Sequence, residues 1–159
     1  MRNFIAVGAA LLAATLSFGA SAQAPQYGAD INLEQAKKLI AAGQAEAKKN
    51  NWPVAIAIVD NHGFLVAFDK MDGTQTASVA IALDKASSAA MYRRPTKAFQ
   101  DMVAGGGAGT RALNLRGASS VEGGLPIVVG GKIIGGVGVS GVTSDQDGVV
   151  AKAGTDALK

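Results

Sequence analysis

The stretch Glu122–Gly141, EGGLPIVVGGKIIGGVGVSG, constrains this chain more than any other. Two short apolar runs, Leu125–Val129 and Lys132–Val139, flank Gly130-Gly131. A two-residue glycine link between β-branched runs predicts a hairpin, because the tight turns that match strand twist need positive φ. The second run carries glycine at 135, 136, 138 and 141. Glycine weakens a strand, so this density predicts that another backbone, a helix or a ligand approaches closely. The strand is therefore either a packing floor or the wall of a site.

Residues 1–22 read as an export signal. Arg2 supplies a positive start, Phe4–Phe18 is uncharged and apolar, and Ala20-Ser21-Ala22 is a small-residue cleavage site before Gln23. The apolar run is shorter than the ~20 residues of a membrane span, and no second run follows. A periplasmic or secreted bacterial protein, with no membrane attachment after cleavage, is the expectation. What remains suffices for one modest core.

The formal net charge is +3, one unit of which is Arg2 in the leader. With no arginine-rich or aromatic-interleaved stripe, a nucleic-acid partner is not expected. The chain has no cysteine, which excludes disulfides, thiolate metal sites and thiol nucleophiles. A core this poor in aromatics and rich in Ala and Gly is expected to gain stability from subunit contacts, so a homo-oligomer is anticipated.

Along the chain, residues 23–31 form a polar lead-in. Asn32 with Gln35 is a capping-box pattern opening an amphipathic helix, which Asn50-Asn51-Trp52-Pro53 stops. Val54–Val59 and Phe64–Phe68 flank the turn Asp60-Asn61-His62-Gly63 and should pair antiparallel, and Asp69–Gly73 is a polar turn. Ser78–Tyr92 is an alanine-rich helix. Pro95 interrupts, and Thr96 is an N-cap for a short helix bearing Phe99 and Met102. Gly105–Gly109 is a flexible loop, residues 110–120 are irregular with a short strand at Leu113–Leu115, and Ser144–Asp147 caps a last helix. The order predicts a single α+β domain over 32–159, an antiparallel sheet flanked by helices.

Several motifs fail on context. Gly136–Gly141 matches G-x-G-x-x-G, but the dinucleotide fingerprint also needs a second parallel strand after its helix, and no such strand is read there. Asp60, Asp69 and Asp72 read as turn residues, and Asp145–Gly148 reads as a cap. His62, the sole histidine, stands in a turn and can serve as a single metal or heme ligand. Tyr92-Arg93-Arg94-Pro95-Thr96-Lys97 is the densest polar cluster, suited to holding carboxylates.

The segments VDNHGFLVAFDKMDGT, Asp84-Lys85-Ala86, Arg94-Pro95-Thr96 and GGLPIVVGGKIIGGVGVSG, with the closing Asp147…Leu158 run, resemble the GlcG/HbpS-like family, also called the heme-degrading domain family. That family includes the C-terminal domain of PduO. The resemblance spans roughly residues 30–158. It implies a profilin-like fold, homo-oligomers (typically octamers), and heme binding, iron binding or slow heme breakdown in some members. It places Thr96 near a heme pocket and makes Arg93, Arg94 and Lys97 candidates for the propionates. The first helix lacks the histidine that ligates iron in some members, leaving Thr96 or His62 as axial candidates.

Candidate cofactor-binding residues are therefore Lys85, Tyr92, Arg93, Arg94, Thr96, Lys97 and Gly138, with His62 the candidate metal ligand. The glycine-rich strand and the alanine-rich helix would form a slot for the heme plate, with the cationic corner at its mouth. Two other readings compete. One is a cofactor-free enzyme or binder for a small carboxylate, clamped by Arg93 and Arg94 with Lys85 or an Asp moving a proton. The other is a ligand-free structural oligomer.

Overall fold

The computed structural model describes residues 23–159; the export signal read over residues 1–22 lies outside them. Helix α1 (Leu33–Lys49) starts where the capping box demands: Asn32 Oδ1 accepts from Gln35 N at 2.8 Å and Gln35 Oε1 accepts from Asn32 N at 3.1 Å. Strands β1 (Ala55–Val59) and β2 (Leu65–Lys70) follow, then α2 (Ser78–Tyr92), α3 (Thr96–Ala104), β3 (Gly124–Val129), β4 (Lys132–Ser140) and α4 (Ser144–Asp156). The strands form one antiparallel sheet in the order β2-β1-β4-β3. Both hairpins are adjacent pairs, and β4 brings the second hairpin back beside the first.

The two faces of the sheet are sorted by side-chain size. Ile56 and Ile58 of β1 and Val137 and Val139 of β4 point with Leu39, Ile40, Val150 and Ala151 into the core under α1 and α4. Ala55, Ala57 and Val59, alternating with them, meet Ala82, Ala86 and Ala90 of α2. That period-two alternation of large and small residues follows from the pleat. It draws α2 far closer to the sheet than α1 or α4 needs to come.

Gly138 shows how close. A Cβ there would sit 2.0 Å from Ala82 O and 2.4 Å from Ala86 N. The expected heme slot between this strand and α2 is filled by α2 itself, so Gly138 belongs to a packing floor. The Gly130-Gly131 turn takes φ of 56° and 76°, as a type I′ link requires.

Four local expectations are corrected. Asp69 and Lys70 belong to β2, where Lys70 pairs with Ala55, so the polar turn begins later. Thr96 is the first residue of α3 and not its cap; Pro95 stands at that position. The expected strand at Leu113–Leu115 and much of the glycine loop are a 3-10 segment, Gly107–Asn114. Thr143, with Gln146, forms the capping box of α4, and Asp147 is buried elsewhere.

The polar lead-in also docks. Gly28 N donates to Ile133 O and Ile133 N to Gln26 O, a short parallel bridge at the stretch of β4 that precedes its pairing with β1.

Candidate functional site: a cationic apolar cavity beside the second hairpin

Helix α2 ends in a left-handed residue that is not glycine. Arg93 has φ 53° and ψ 37°, and its N–H donates to Ala90 O. A side chain in this conformation costs about 1–2 kcal/mol relative to the ordinary helical region. Such a cost is characteristic of functional positions, where surrounding structure holds the residue in place. Here the hold comes from Tyr27 of the docked N-terminal segment. Its hydroxyl donates to Ala90 O and Met91 O at 3.0 Å, and its ring lies under the Arg93 guanidinium, 5.6 Å from the centroid.

The Arg93 side chain borders a cavity of about 350 Å³. Leu125, Pro126 and Val128 of β3 and Ile133 of β4 supply an apolar wall. Pro25 and Pro95 narrow it, and Thr155 and Lys159 close the α4 end. Among the described residues Arg93 has no carboxylate partner, whereas the Lys159 ammonium pairs with Asp156. An unpaired guanidinium at the rim of an apolar recess suits a ligand with a flat or aliphatic body and an acidic edge.

Apart from Pro95, the other residues of the cluster diverge from it. Arg94 stacks over Phe99, its guanidinium carbon 5.6 Å from the ring centroid, and its Nε donates to Tyr92 O. Lys97 pairs with Asp101 on the exposed side of α3, and the hydroxyl of Tyr92 donates to Arg116 O. Hydrogen bonding to Asp101 holds the Lys97 ammonium above its ordinary pKa.

Thr96 is fully buried, and its Oγ1 accepts from Gly124 N at 2.9 Å, fastening α3 to the first residue of β3. Its side chain is not among those bordering the cavity.

Lys85 is likewise engaged elsewhere. Its ammonium is buried, 1% exposed, and donates to Asp147 Oδ2 at 2.8 Å and to Val139 O at 2.9 Å. Asp147 Oδ1 accepts from Val142 N at 3.2 Å. Burial pushes the Asp147 carboxyl above the ordinary carboxylate range, and the hydrogen bond and charge of Lys85 oppose that push. Gly123, at φ 124°, makes room: a Cβ there would lie 2.8 Å from Lys85 Nζ and 2.7 Å from Val139 O. Sequence reasoning did not find this pair. The available signal was a lysine on the same α2 stripe as Ala82, Ala86 and Ala89, where only a paired cation is tolerated.

His62 stands exposed in the β1–β2 turn, stacked at 25° on Phe64, and does not border the cavity. Arg93 is thus the one residue of the predicted set that does.

The fit to a heme is partial. The cavity supplies apolar walls and a cation for a propionate, but the residues bordering it include no histidine, methionine or tyrosine to sit over the iron.

A four-stranded antiparallel sheet, closely covered by a small-residue helix and carrying a cationic cavity at its edge, defines a single-domain α+β fold. The chain belongs to the HbpS-like family: the family model described as haem degrading protein HbpS-like matches residues 31–156. It is 45% identical over 110 residues to Protein GlcG of Escherichia coli (strain K12), covering 69% of this chain and 81% of that protein. Among solved structures, Klebsiella pneumoniae protein ORFY superposes with a TM-score of 0.76 at 31% identity, over 84% of this chain and 93% of that one. The PduOC:heme complex does so with 0.73 at 26% identity, over 82% and 96%.

Proposed function

We propose that this chain is an exported, homo-oligomeric heme-binding protein for heme handling, storage or slow degradation, holding the porphyrin by its acidic edge at Arg93. The observation that carries the reading is the unpaired Arg93 guanidinium, fixed in a strained backbone at the rim of an apolar cavity. Family membership and the likeness to a protein solved with heme support it. In this reading Arg93 takes a propionate, and Leu125, Pro126, Val128 and Ile133 cover a porphyrin face. When bound, heme supplies iron and its redox chemistry. This chain's own residues bind, orient and shield it.

The test is hemin titration of the purified protein followed in the Soret band. Saturable stoichiometric binding, weakened about tenfold or more by Arg93→Ala and little by Arg94→Ala or Lys97→Ala, is the expected result. Diffuse, unsaturable uptake, or an Arg93→Ala protein that binds as the parent does, overturns it. Light scattering after gel filtration tests for the octamer, and fractionation of the producing cells tests for export.

A second reading rests on the size of the cavity. About 350 Å³ lies near the lower end of the ~300–1,000 Å³ typical of ligand sites, which suits a small organic carboxylate. A melting-temperature screen with short-chain organic acids distinguishes the two, because a specific ligand stabilises the folded chain by mass action. Stabilisation by one acid, abolished by Arg93→Ala, in a protein indifferent to hemin selects this reading.

A further inference from the structure

The β1–β2 turn and the docked N-terminal segment bring together a second group of side chains, well separated in sequence from the cavity's Arg93. Asp30, Asp60 and His62 offer one ligand atom each, all within 4.8 Å of one another. The turn holds these groups in place. Asp60 Oδ1 accepts from His62 N at 2.8 Å and from Phe64 N at 2.9 Å, and Asp30 Oδ1 accepts from Asn61 N at 3.1 Å. Each carboxylate is thus oriented by one oxygen, while its second oxygen has no hydrogen bond among the described residues. Neither carboxylate forms an ion pair there.

An independent observation comes from Asn61, between Asp60 and His62. Its Nδ2 donates to Gly28 O at 3.0 Å, which fixes the amide, and leaves Oδ1 shielded from solvent with no donor. Among the described residues it is the one buried side-chain polar atom without a partner. A shielded acceptor of this kind calls for a donor or a cation. The His62 ring lies beside that of Phe64, with centroids 6.5 Å apart.

We propose that Asp30, Asp60 and His62 bind one divalent first-row transition cation. One imidazole with two carboxylates suits Zn²⁺, Fe²⁺ or Mn²⁺; the imidazole disfavours Mg²⁺ and Ca²⁺, and the lack of thiolate disfavours Cu⁺. Asn61 Oδ1 is a further oxygen in the same turn. The cation would join the two carboxylates and tie the N-terminal segment to the β1–β2 turn. That segment also carries Pro25 and Tyr27, so the cation would stiffen the cavity wall and the ring beneath Arg93. The site does not depend on heme being the cavity's ligand.

Tag-free, metal-stripped protein is titrated with ZnCl₂ and with MnCl₂ by calorimetry. The expected result is one ion per chain, with affinity at least about tenfold lower in His62→Ala and in Asp30→Asn/Asp60→Asn. The asparagines keep the oxygen that accepts the turn amides, so the melting point without metal should stay within a few degrees of the parent. His62 is the sole histidine, so its imidazole proton signals are unambiguous and should shift on stoichiometric Zn²⁺. An unmoved His62 signal, or equal affinity in either variant, overturns the proposal. A protein that binds hemin but fails this titration loses the cation site alone.

Discussion

Lys85 and Asp147, 62 positions apart, meet at 2.8 Å with their side chains only 1% and 3% exposed. The contact joins α2 to α4 at the end of β4, in a space kept open by Gly123. A buried pair of this kind adds little net stability, because removing two charges from water nearly cancels their attraction. Breaking it by halves is another matter. Lys85→Met should cost about 3–5 kcal/mol, and Lys85→Met/Asp147→Leu should recover most of that loss. Urea denaturation of the two variants decides it, and an undiminished midpoint for Lys85→Met would contradict the arrangement.

The same pair has a pH signature. With its carboxyl raised by burial, folded Asp147 holds its proton to higher pH than the unfolded chain does. Between the ordinary value of 3.8 and the raised one, the folded state binds more protons, so Asp147's contribution to stability falls as pH rises. Asp145 and Asp156 act in the opposite sense. A hydrogen bond from Thr143 and one from Lys152, respectively, hold them low, so their contributions are lost as pH falls through those lowered values. The stability of the parent minus that of Asp147→Asn should therefore decline with rising pH across the Asp147 window and level off above it. A flat difference from pH 3 to 8 would show that Asp147 is not shifted.

Gly138→Ala tests the packing floor. With only 2.0 Å to Ala82 O, the added methyl must displace α2, and a loss of more than about 3 kcal/mol is expected, at or beyond the upper end of overpacking costs. Gly131→Asn, in open space at a positive φ that asparagine tolerates, should cost about 1 kcal/mol or less. Thermal melts of both should separate widely; similar melts would mean that α2 does not lie this close.

Thr96→Val keeps the shape and removes the acceptor for Gly124 N. An orphaned buried N–H costs about 1–3 kcal/mol, and Thr96→Ser should retain most of the parent stability. Hemin affinity should change less than in Arg93→Ala, since Thr96 does not border the cavity. A larger effect on binding than on folding would move Thr96 into the site.

Arg93→Gly separates ligand binding from stability. Glycine relieves the left-handed strain, worth about 1–2 kcal/mol, while the lost contact with the Tyr27 ring costs about 0.5–1 kcal/mol. Stability should hold or rise slightly as binding of the acidic ligand falls. A clear drop in melting temperature would assign Arg93 a structural role.

The elements that sequence made visible are those built from near neighbours. The Asn32–Gln35 box, the Gly130-Gly131 turn and the alanine stripe of α2 each act over four residues or fewer, and each is where the pattern puts it. The signature around Gly124–Gly141 also led to the family. The errors came where distant residues outbid local preference. Thr96 has the chemistry of a cap, yet Gly124 N, 28 positions away, claims its oxygen. Asp147 looked like part of a helix start until Lys85 took it. The cationic corner reads as one cluster on paper, but the left-handed turn at Arg93 sends its side chain to the cavity while Arg94 and Lys97 go elsewhere.

Sequence by itself determined the hairpins, the helices, the antiparallel sheet and the membership of a family, because period, capping and turn chemistry are properties of short segments. Only the tertiary structure decided that Gly136 and Gly138 of β4 seat a helix, that Lys85 is locked to Asp147, and that Arg93 faces an apolar recess. Those outcomes depend on how far apart two surfaces come to rest, and the fit of small side chains across the sheet sets that distance.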